Sequence, residues 1–516
     1  MRYFNTAGPC RPDIHYMLPV SSRLPEARRL IGQQAYFVLH APRQVGKTTT
    51  MMELALELTA EGRYTALLVS MEVGAAFNND PGAAELAVLG TWQGNAEVWL
   101  PKELQPPVWP SAVAGQRIFT ALKTWALQSP RPLVLFVDEI DAIENDALNS
   151  ALRQFRGGYP NRPRGFPWSL ALIGLRDVRD YRVASGGIER LHTASPINIK
   201  LESLAMRDFT EEEVATLYRQ HTTETGQIFR DDAVERAFEL THGQPWLVNA
   251  LARQAVEFIA PDPATPITVD IIREAKEILI KRQDTHLDSL VERLREPRVR
   301  RIIEPILAGS SDVGALPPDD VRFVQDLGLV RKTDKGGLVI ANPIYREVIP
   351  YMLAYVTSAF LPQIQPTWLR ADGSLDPDKL LEAFLKFWRQ HGQPLLKSVY
   401  YHEIAPHIVL MAFLHRVVNG GGTLEREYAI GSRRMDVCLR YGKTTLAMEL
   451  KVWRDGQSDP LNEGLEQLDT YLSGLGLETG WLVIFEQRGG LPAISERTSA
   501  QKARTAGGRE ITVVSG

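Results

Sequence analysis

The stretch Ala41-Pro42-Arg43-Gln44-Val45-Gly46-Lys47-Thr48 constrains this chain more than any other. It follows an apolar run, Ala35-Tyr36-Phe37-Val38-Leu39, and precedes a helix-compatible segment from Thr49 to Thr59. A glycine-lysine-threonine loop between a strand and a helix offers backbone amides and a helix N-terminus to phosphate oxygens. Three further apolar runs, Thr65 to Val69, Leu133 to Val137 and Leu170 to Gly174, alternate with helical segments. Continuous apolar strands of this kind predict an α/β fold with a parallel sheet covered on both faces.

In that loop, Lys47 is expected to reach the β and γ phosphates of ATP, and Thr48 to give its hydroxyl to Mg²⁺. Residues Ala41 to Thr49 form the expected phosphate cradle, with Ala41 where the pattern has glycine. The run ending Phe136-Val137-Asp138-Glu139 is the natural partner. Asp138 is expected near the metal, and Glu139 where a base can polarise an attacking water. Arg176, after the fourth run, is a candidate sensor of the γ phosphate or a surface arginine paired with Asp177 or Asp180. Gly243-Gln244-Pro245 reads as a turn near the base or a turn between helices.

At 516 residues, and roughly 150 residues per domain, the chain should hold three or four domains. A net charge of −4 means that any nucleic acid is met by local patches rather than a global field. Two cysteines, Cys10 and Cys438, build no disulfide framework or zinc cluster, and no apolar run approaches the ~20 residues that span a bilayer. A soluble, cytoplasmic protein with no membrane partner is expected.

The expected organisation is a nucleotide-binding core over 1–200, a helical lid over 201–282, a winged helix over 283–354, a linker over 355–378 and a further α/β domain over 379–516. The Gly-, Pro- and Trp-rich segment from 78 to 110 reads as an insertion or long loop, and Lys335-Gly336-Gly337 as the turn of the wing. In the last domain, Thr423 to Ile430 and Arg434 to Arg440 read as a hairpin joined by Gly431-Ser432, followed by a strand from Thr444 to Val452. Glu449 and Lys451 then share a face, and Asp436 on the preceding strand can join Glu449 in holding Mg²⁺, or alternatively Mn²⁺, through oxygen ligands. Lys451 would orient or activate the attacking water. Gln467 and Tyr471, at i and i+4 on the next helix, face one side.

Residues 1 to about 350, through Ala41–Thr48, Leu133–Glu139, Arg176, Gly243–Pro245, Leu327–Val330 and Asn342–Glu347, resemble the signal-transducing, archaeal-type branch of the AAA-like P-loop ATPases. The resemblance implies a nucleotide-driven conformational switch. Asp436, Glu449, Lys451, Gln467 and Tyr471 resemble the PD-(D/E)xK nuclease superfamily, with the last two as in its RecB-type branch. That resemblance implies a restriction-endonuclease-like fold, in which Glu403 on the first helix would complete the metal site, with Glu425 and Glu427 as weaker candidates. Met435 stands where the family often has proline.

The combined expectation is an ATP-binding and hydrolysing switch that controls a metal-dependent DNA endonuclease. By family analogy it points to mobile-element biology or anti-phage defence, with a homo-oligomer as an open alternative. The rival readings are a regulatory scaffold whose nuclease fold only binds nucleic acid, and an ATPase that remodels nucleic acid. Weaker signals are Arg153, Arg156, Arg162 and Arg164, read as phosphate contacts, as an arginine finger toward a neighbouring subunit, or at least equally well as a solvated loop. Arg298, Arg300 and Arg301, with Arg331, Lys332 and Lys335 on the wing, read equally well as DNA-backbone contacts or as parts of a winged helix that acts as an intramolecular brake. His15 and Tyr16 read as packing residues of an N-terminal arm, or as a border of the adenine pocket.

Overall fold

The computed structural model describes residues 1–175, 200–282, 293–307, 316–333, 336–359, 361, 365–398, 404–418, 422–429 and 434–516. Of these, 200–201, 355–359, 397–398, 423, 425–429 and 434–436 are described in backbone only. The chain divides into two compact units, Met1–Leu279 with Asp326–Gly328, and Ile280–Gln325 with Leu329–Gly516.

The first unit is built on a parallel sheet of β1 (Tyr36–His40), β2 (Thr65–Ser70), β3 (Leu133–Asp138), β4 (Ser169–Gly174) and β5 (Lys200–Ala205), in the order β2-β3-β4-β1-β5. The first four of these strands read as unbroken apolar runs because both faces are covered. On one face, α1 (Pro25–Gly32) and α2 (Lys47–Ala60) bury Phe37, Leu39, Val134 and Phe136 against Leu30, Met51 and Leu54. On the other, α3 (Pro81–Trp99), α4 (Arg117–Gln128) and α5 (Asn145–Gly158) bury Val38, Leu67, Leu135 and Val137 against Trp92, Trp125 and Phe155.

Two features depart from the sequence reading. The segment from 78 to 110 is not a long loop: 19 of its residues form α3, capped by the Asp80 carboxylate, which accepts from the Ala83 N–H at 3.0 Å. Gly90 and Gly94 each lower helix propensity by about 1 kcal/mol, but burial of Val88, Leu89, Trp92 and Ala96 at helical spacing outweighs them. The second is β5, which runs across the boundary expected at 200 and pairs in parallel with β1. It is an edge strand, so it carries Glu202, bonded to Arg29 at 2.8 Å, and lacks the apolar signature of the other four.

Helices follow, with no strand among the described residues between 206 and 282. The first, α6 (Glu211–Thr225), opens with a reciprocal capping box between Thr210 and Glu213. Then come α7 (Asp231–Thr241), α8 (Pro245–Arg253) and α9 (Val269–Arg282). The N-terminal arm packs on them: Phe4 and Tyr16 are buried against Tyr218, His221 and Phe229. His15 and Tyr16 are thus packing residues of the arm.

In the second unit, α10 (Pro297–Leu307) and α11 (Pro318–Asp326) precede a hairpin of β6 (Val330–Lys332) and β7 (Leu338–Ile340), then α12 (Pro343–Ala359). Lys335 of the expected turn lies outside the described residues. Arg298 and Arg301 both bond the Asp320 carboxylate at 2.7 Å, which ties α10 to α11 and gives these basic residues a structural role. The helix α12 reaches into the segment read as a linker.

Beyond it, α13 (Pro377–Ser398) and α14 (Ala405–Val418) lead into β8 (Gly422–Ala429), β9 (Arg434–Tyr441) and β10 (Thr444–Trp453). After α15 (Leu461–Leu475) come β11 (Thr479–Glu486), β12 (Ser499–Arg504) and β13 (Glu510–Ser515). The sheet order is β12-β13-β11-β10-β9-β8, with β10, β11 and β13 mutually parallel and the outer pairs antiparallel. The hairpin, strand, helix and strand read from the sequence are present; β12 and β13 extend them. The helix α15 buries Leu468 and Leu472 on Ala447, Leu482 and Ile484, while the Trp388 ring of α13 packs tilted against Phe485, with ring centroids 4.8 Å apart.

Trp92 joins this fold to the nucleotide loop's surroundings: it is fully buried, and its indole N–H donates to the Ser70 carbonyl at 2.9 Å. Trp92→Ala should destabilise the first unit by about 3–5 kcal/mol. The check is a fall in its thermal unfolding midpoint followed by calorimetry.

Candidate functional site

The loop between β1 and α2 turns on Gly46, whose φ of 93° lies in the left-handed region and makes it the N-cap of α2. A side chain there would strain the turn, which explains the glycine. Ala41, by contrast, has no left-handed backbone and is buried, so its methyl adds to the core rather than obstructing the loop. The turn aims the N-terminus of α2, with its partial positive charge, at the carboxyl ends of β1 and β3.

Around that point the expected residues converge. The Lys47 ammonium donates to the carbonyls of Ala41 and Pro42, both at 2.8 Å. Burial pushes its pKa down to about 8, against the pull of Asp138 and Asp141. The Thr48 hydroxyl donates to the Asp138 carboxylate at 2.6 Å, and the Glu139 N–H donates to its other oxygen at 2.9 Å. Burial nevertheless raises the Asp138 carboxyl above its ordinary range. A hydroxyl and a carboxylate this close make an oxygen pair that suits a hard divalent cation.

Glu139 sits at a φ of 54°, a conformation costly for a non-glycine residue and characteristic of functional positions. Its carboxylate accepts from the Ser70 hydroxyl at 2.8 Å, and burial first, then Glu72 and Asp138, raises its pKa. Sequence reasoning missed Ser70 and Glu72, because nothing local to β2 marks them; the β2–β3 pairing, Ser70 opposite Asp138, brings them in.

A second missed residue is Arg23. Buried just before α1, its guanidinium donates to the carbonyls of Val45 (3.4 Å), Arg207 (2.7 Å) and Asp208 (3.5 Å), lies 3.8 Å from Glu213, and stacks over Phe209 at 4.5 Å. Burial pushes the neighbouring Asp208 carboxyl up to about 6. The Phe209 N–H in turn donates to the Gly243 carbonyl at 2.8 Å, and a Cβ on Gly243 would fall 1.9 Å from the Phe209 oxygen. Gly243-Gln244-Pro245 is therefore an interhelix turn, closed by the Gln244 side chain accepting from the Leu247 N–H at 2.6 Å. The arm completes the surround: the Cys10 N–H donates to the Thr49 hydroxyl at 2.9 Å, and the Trp246 indole to the Thr6 carbonyl at 2.8 Å. Arg176 lies outside the described residues. Of the arginine series, Arg162 stacks on Tyr159 at 3.4 Å and on Tyr36 at 4.9 Å, so it packs the core's flank.

In the second unit, the register sets Asp436 opposite Glu449, and Glu427 opposite Asp436, across β8, β9 and β10. Glu449 and Lys451 share a face as expected: the ammonium is 3.4 Å from the Glu449 carboxylate, and their exposures are 0% and 4%. From α15, Gln467 accepts from Lys451 at 2.5 Å and donates to Glu463 at 2.9 Å, while Glu463 lies 3.2 Å from the same ammonium. Glu463 was not foreseen. Tyr471 packs against the Leu468–Leu482 cluster. Glu403 lies outside the described residues, the side chains of Glu425, Glu427 and Asp436 are not described, and among described residues no group of three or more His, Cys, Asp or Glu stands ready to hold a metal.

The strand order and the loop together fit a P-loop NTPase fold. No family model matches the chain, and no curated protein matches it. Among solved structures it is similar to the Walker-type ATPase PABY2304 of Pyrococcus abyssi, with 13% identity over 67% of this chain and 99% of that one, and a TM-score of 0.48. It is also similar to the RuvB Holliday junction branch migration motor of Thermotoga maritima (16%, 64% and 92%, TM-score 0.34) and to Cdc6p from Pyrobaculum aerophilum (12%, 64% and 95%, TM-score 0.35). At those scores the likenesses add nothing to what strand order and loop geometry establish.

The lowered Lys47 pKa has a definite sign. Below about 8 the ammonium is already charged; above it, a phosphate ligand must recover the proton. Affinity for a nucleoside triphosphate should be flat to about pH 8 and then fall, by at most tenfold per unit. Titration calorimetry in buffers of different ionisation enthalpy should show proton uptake on binding at pH 9.

Proposed function

We propose that the first unit binds ATP with Mg²⁺ and hydrolyses it as a conformational switch. The observation that carries this reading is the Thr48–Asp138 hydrogen bond of 2.6 Å beside Lys47, at the N-terminus of α2. Amides of Gln44 to Thr48 and the Lys47 ammonium would take the β and γ phosphates, once Lys47 leaves the carbonyls of Ala41 and Pro42. Thr48 and Asp138 would hold the cation, which supplies charge neutralisation of the phosphates when bound. Glu139, released from Ser70, would orient water for attack. Arg23, bonded to Val45 in the loop and paired with Glu213 on α6, is placed to pass loop movement to the helices after β5.

For the second unit we propose a metal-dependent DNA endonuclease governed by that switch. The Glu449–Lys451 pair in register with Asp436 supports it. Asp436 and Glu449 would hold Mg²⁺, or Mn²⁺ in its place, and Lys451 would orient the attacking water, with Gln467 positioning its ammonium. The complete burial of Glu449 favours a second reading, in which this fold binds nucleic acid without cutting it. No helix among the described residues is long and apolar enough to cross a membrane.

Lys47→Ala should remove ATP binding in calorimetry; retained affinity would sink the loop assignment. Wild-type protein with plasmid, Mg²⁺ or Mn²⁺, and ATP or a non-hydrolysable analogue should nick or cleave, and Asp436→Ala and Lys451→Ala should lower the rate at least a hundredfold. Intact DNA and RNA under every condition would leave only the binding reading. Altered cleavage in Lys47→Ala would demonstrate coupling between the two activities.

A further inference from the structure

The strand β2 is an edge of its sheet, and α2 and α3 overhang it from the two faces. They leave a cleft of about 240 Å³. Its walls are apolar: Met52 and Leu56 from α2, Leu68 from β2 and Trp99 from α3. Leu56 and Trp99 remain 40% and 44% exposed, so an apolar group entering the cleft removes large hydrophobic side chains from water.

The far end is different. Ser70, Glu72 and Glu139 close it, with Asp138 behind them, and none of the described residues lining the cleft is basic. Glu72 and Glu139 both line that end, so a cation placed between them would meet two carboxylates. The cleft is smaller than the roughly 300–1,000 Å³ of pockets that hold drug-sized ligands, so its occupant is compact.

We propose that this cleft is a binding site for a small amphipathic cation, an aromatic or aliphatic body carrying a protonated amine, whose body lies between Leu56 and Trp99 and whose ammonium meets Glu72 and Glu139. Such a ligand would hold the Glu139 carboxylate that Ser70 now holds, and so keep it from water. Binding stands independently of the nucleotide reading; inhibition of hydrolysis rests on it.

The test uses the full-length protein with naphthylmethylamine, and with naphthylacetate as the same ring bearing a negative charge. Titration calorimetry should show the amine binding at least tenfold more tightly than the acid. Leu56→Arg and Trp99→Ala, both at exposed positions, should each weaken the amine at least tenfold with unchanged circular dichroism. Lys47→Ala should bind it normally. Equal affinities for amine and acid, or unchanged binding in both cleft variants, would overturn the site. Saturating amine should slow ATP turnover without weakening ATP binding, and unchanged turnover would overturn the link to Glu139. A wild type that binds the amine yet never hydrolyses ATP would defeat the nucleotide reading and leave the cleft assignment intact.

Discussion

The hydrogen bond from Thr48 to Asp138 is the interaction on which the rest of the first unit's chemistry depends. It fastens the first turn of α2 to the carboxyl end of β3, two strands away from β1 in the sheet. That closure requires Gly46 to take a left-handed turn, so that the helix leaves β1 pointing its N-terminus across the strand ends. Helix dipole, Lys47 ammonium and loop amides then converge on one spot, while Asp138 keeps a carboxylate there against the cost of burial.

From this point the structure spreads along buried polar contacts. Arg23 is the clearest: a guanidinium with little access to water must have all its donors engaged, and it engages the loop, the chain leaving β5 and the capping glutamate of α6. The contact of Phe209 with Gly243 extends the chain of contacts to the start of α8, where no side chain other than hydrogen fits. A continuous set of contacts thus runs from the loop through Arg23 to the helices beyond β5. The second unit shows the same economy at Lys451, whose ammonium is shared by Glu449, Glu463 and Gln467 from a strand and a helix.

Much of this was legible in the residues. The strands β1 to β4 are apolar on both faces, so they stood out as continuous runs, and the loop and the Asp138-Glu139 pair followed at their ends. The Glu449–Lys451 pairing followed from the period of two in a strand. Other parts were hidden for physical reasons. In α3, three glycines and a proline at its first position masked a helix held by burial of Trp92. The strands β5 and β12 lie at sheet edges, where polar residues such as Glu202, Gln501 and Lys502 replace the apolar signal. Ser70, Glu72, Arg23 and Glu463 belong to no local pattern at all.

The sequence by itself determined the parallel α/β core, the position of the loop and the order of acid, acid and lysine in the last domain, because each rests on neighbours in the chain or on a short period. Tertiary structure alone decided which polar groups meet: Ser70 with Glu139, Arg23 with Val45 and Glu213, Glu463 with Lys451. It also opened the cleft beside β2, since a void between two helices and a sheet edge is set by how they pack. Contacts between residues far apart in sequence are fixed by strand order and helix docking, and those depend on the burial of the whole core rather than on any segment of it.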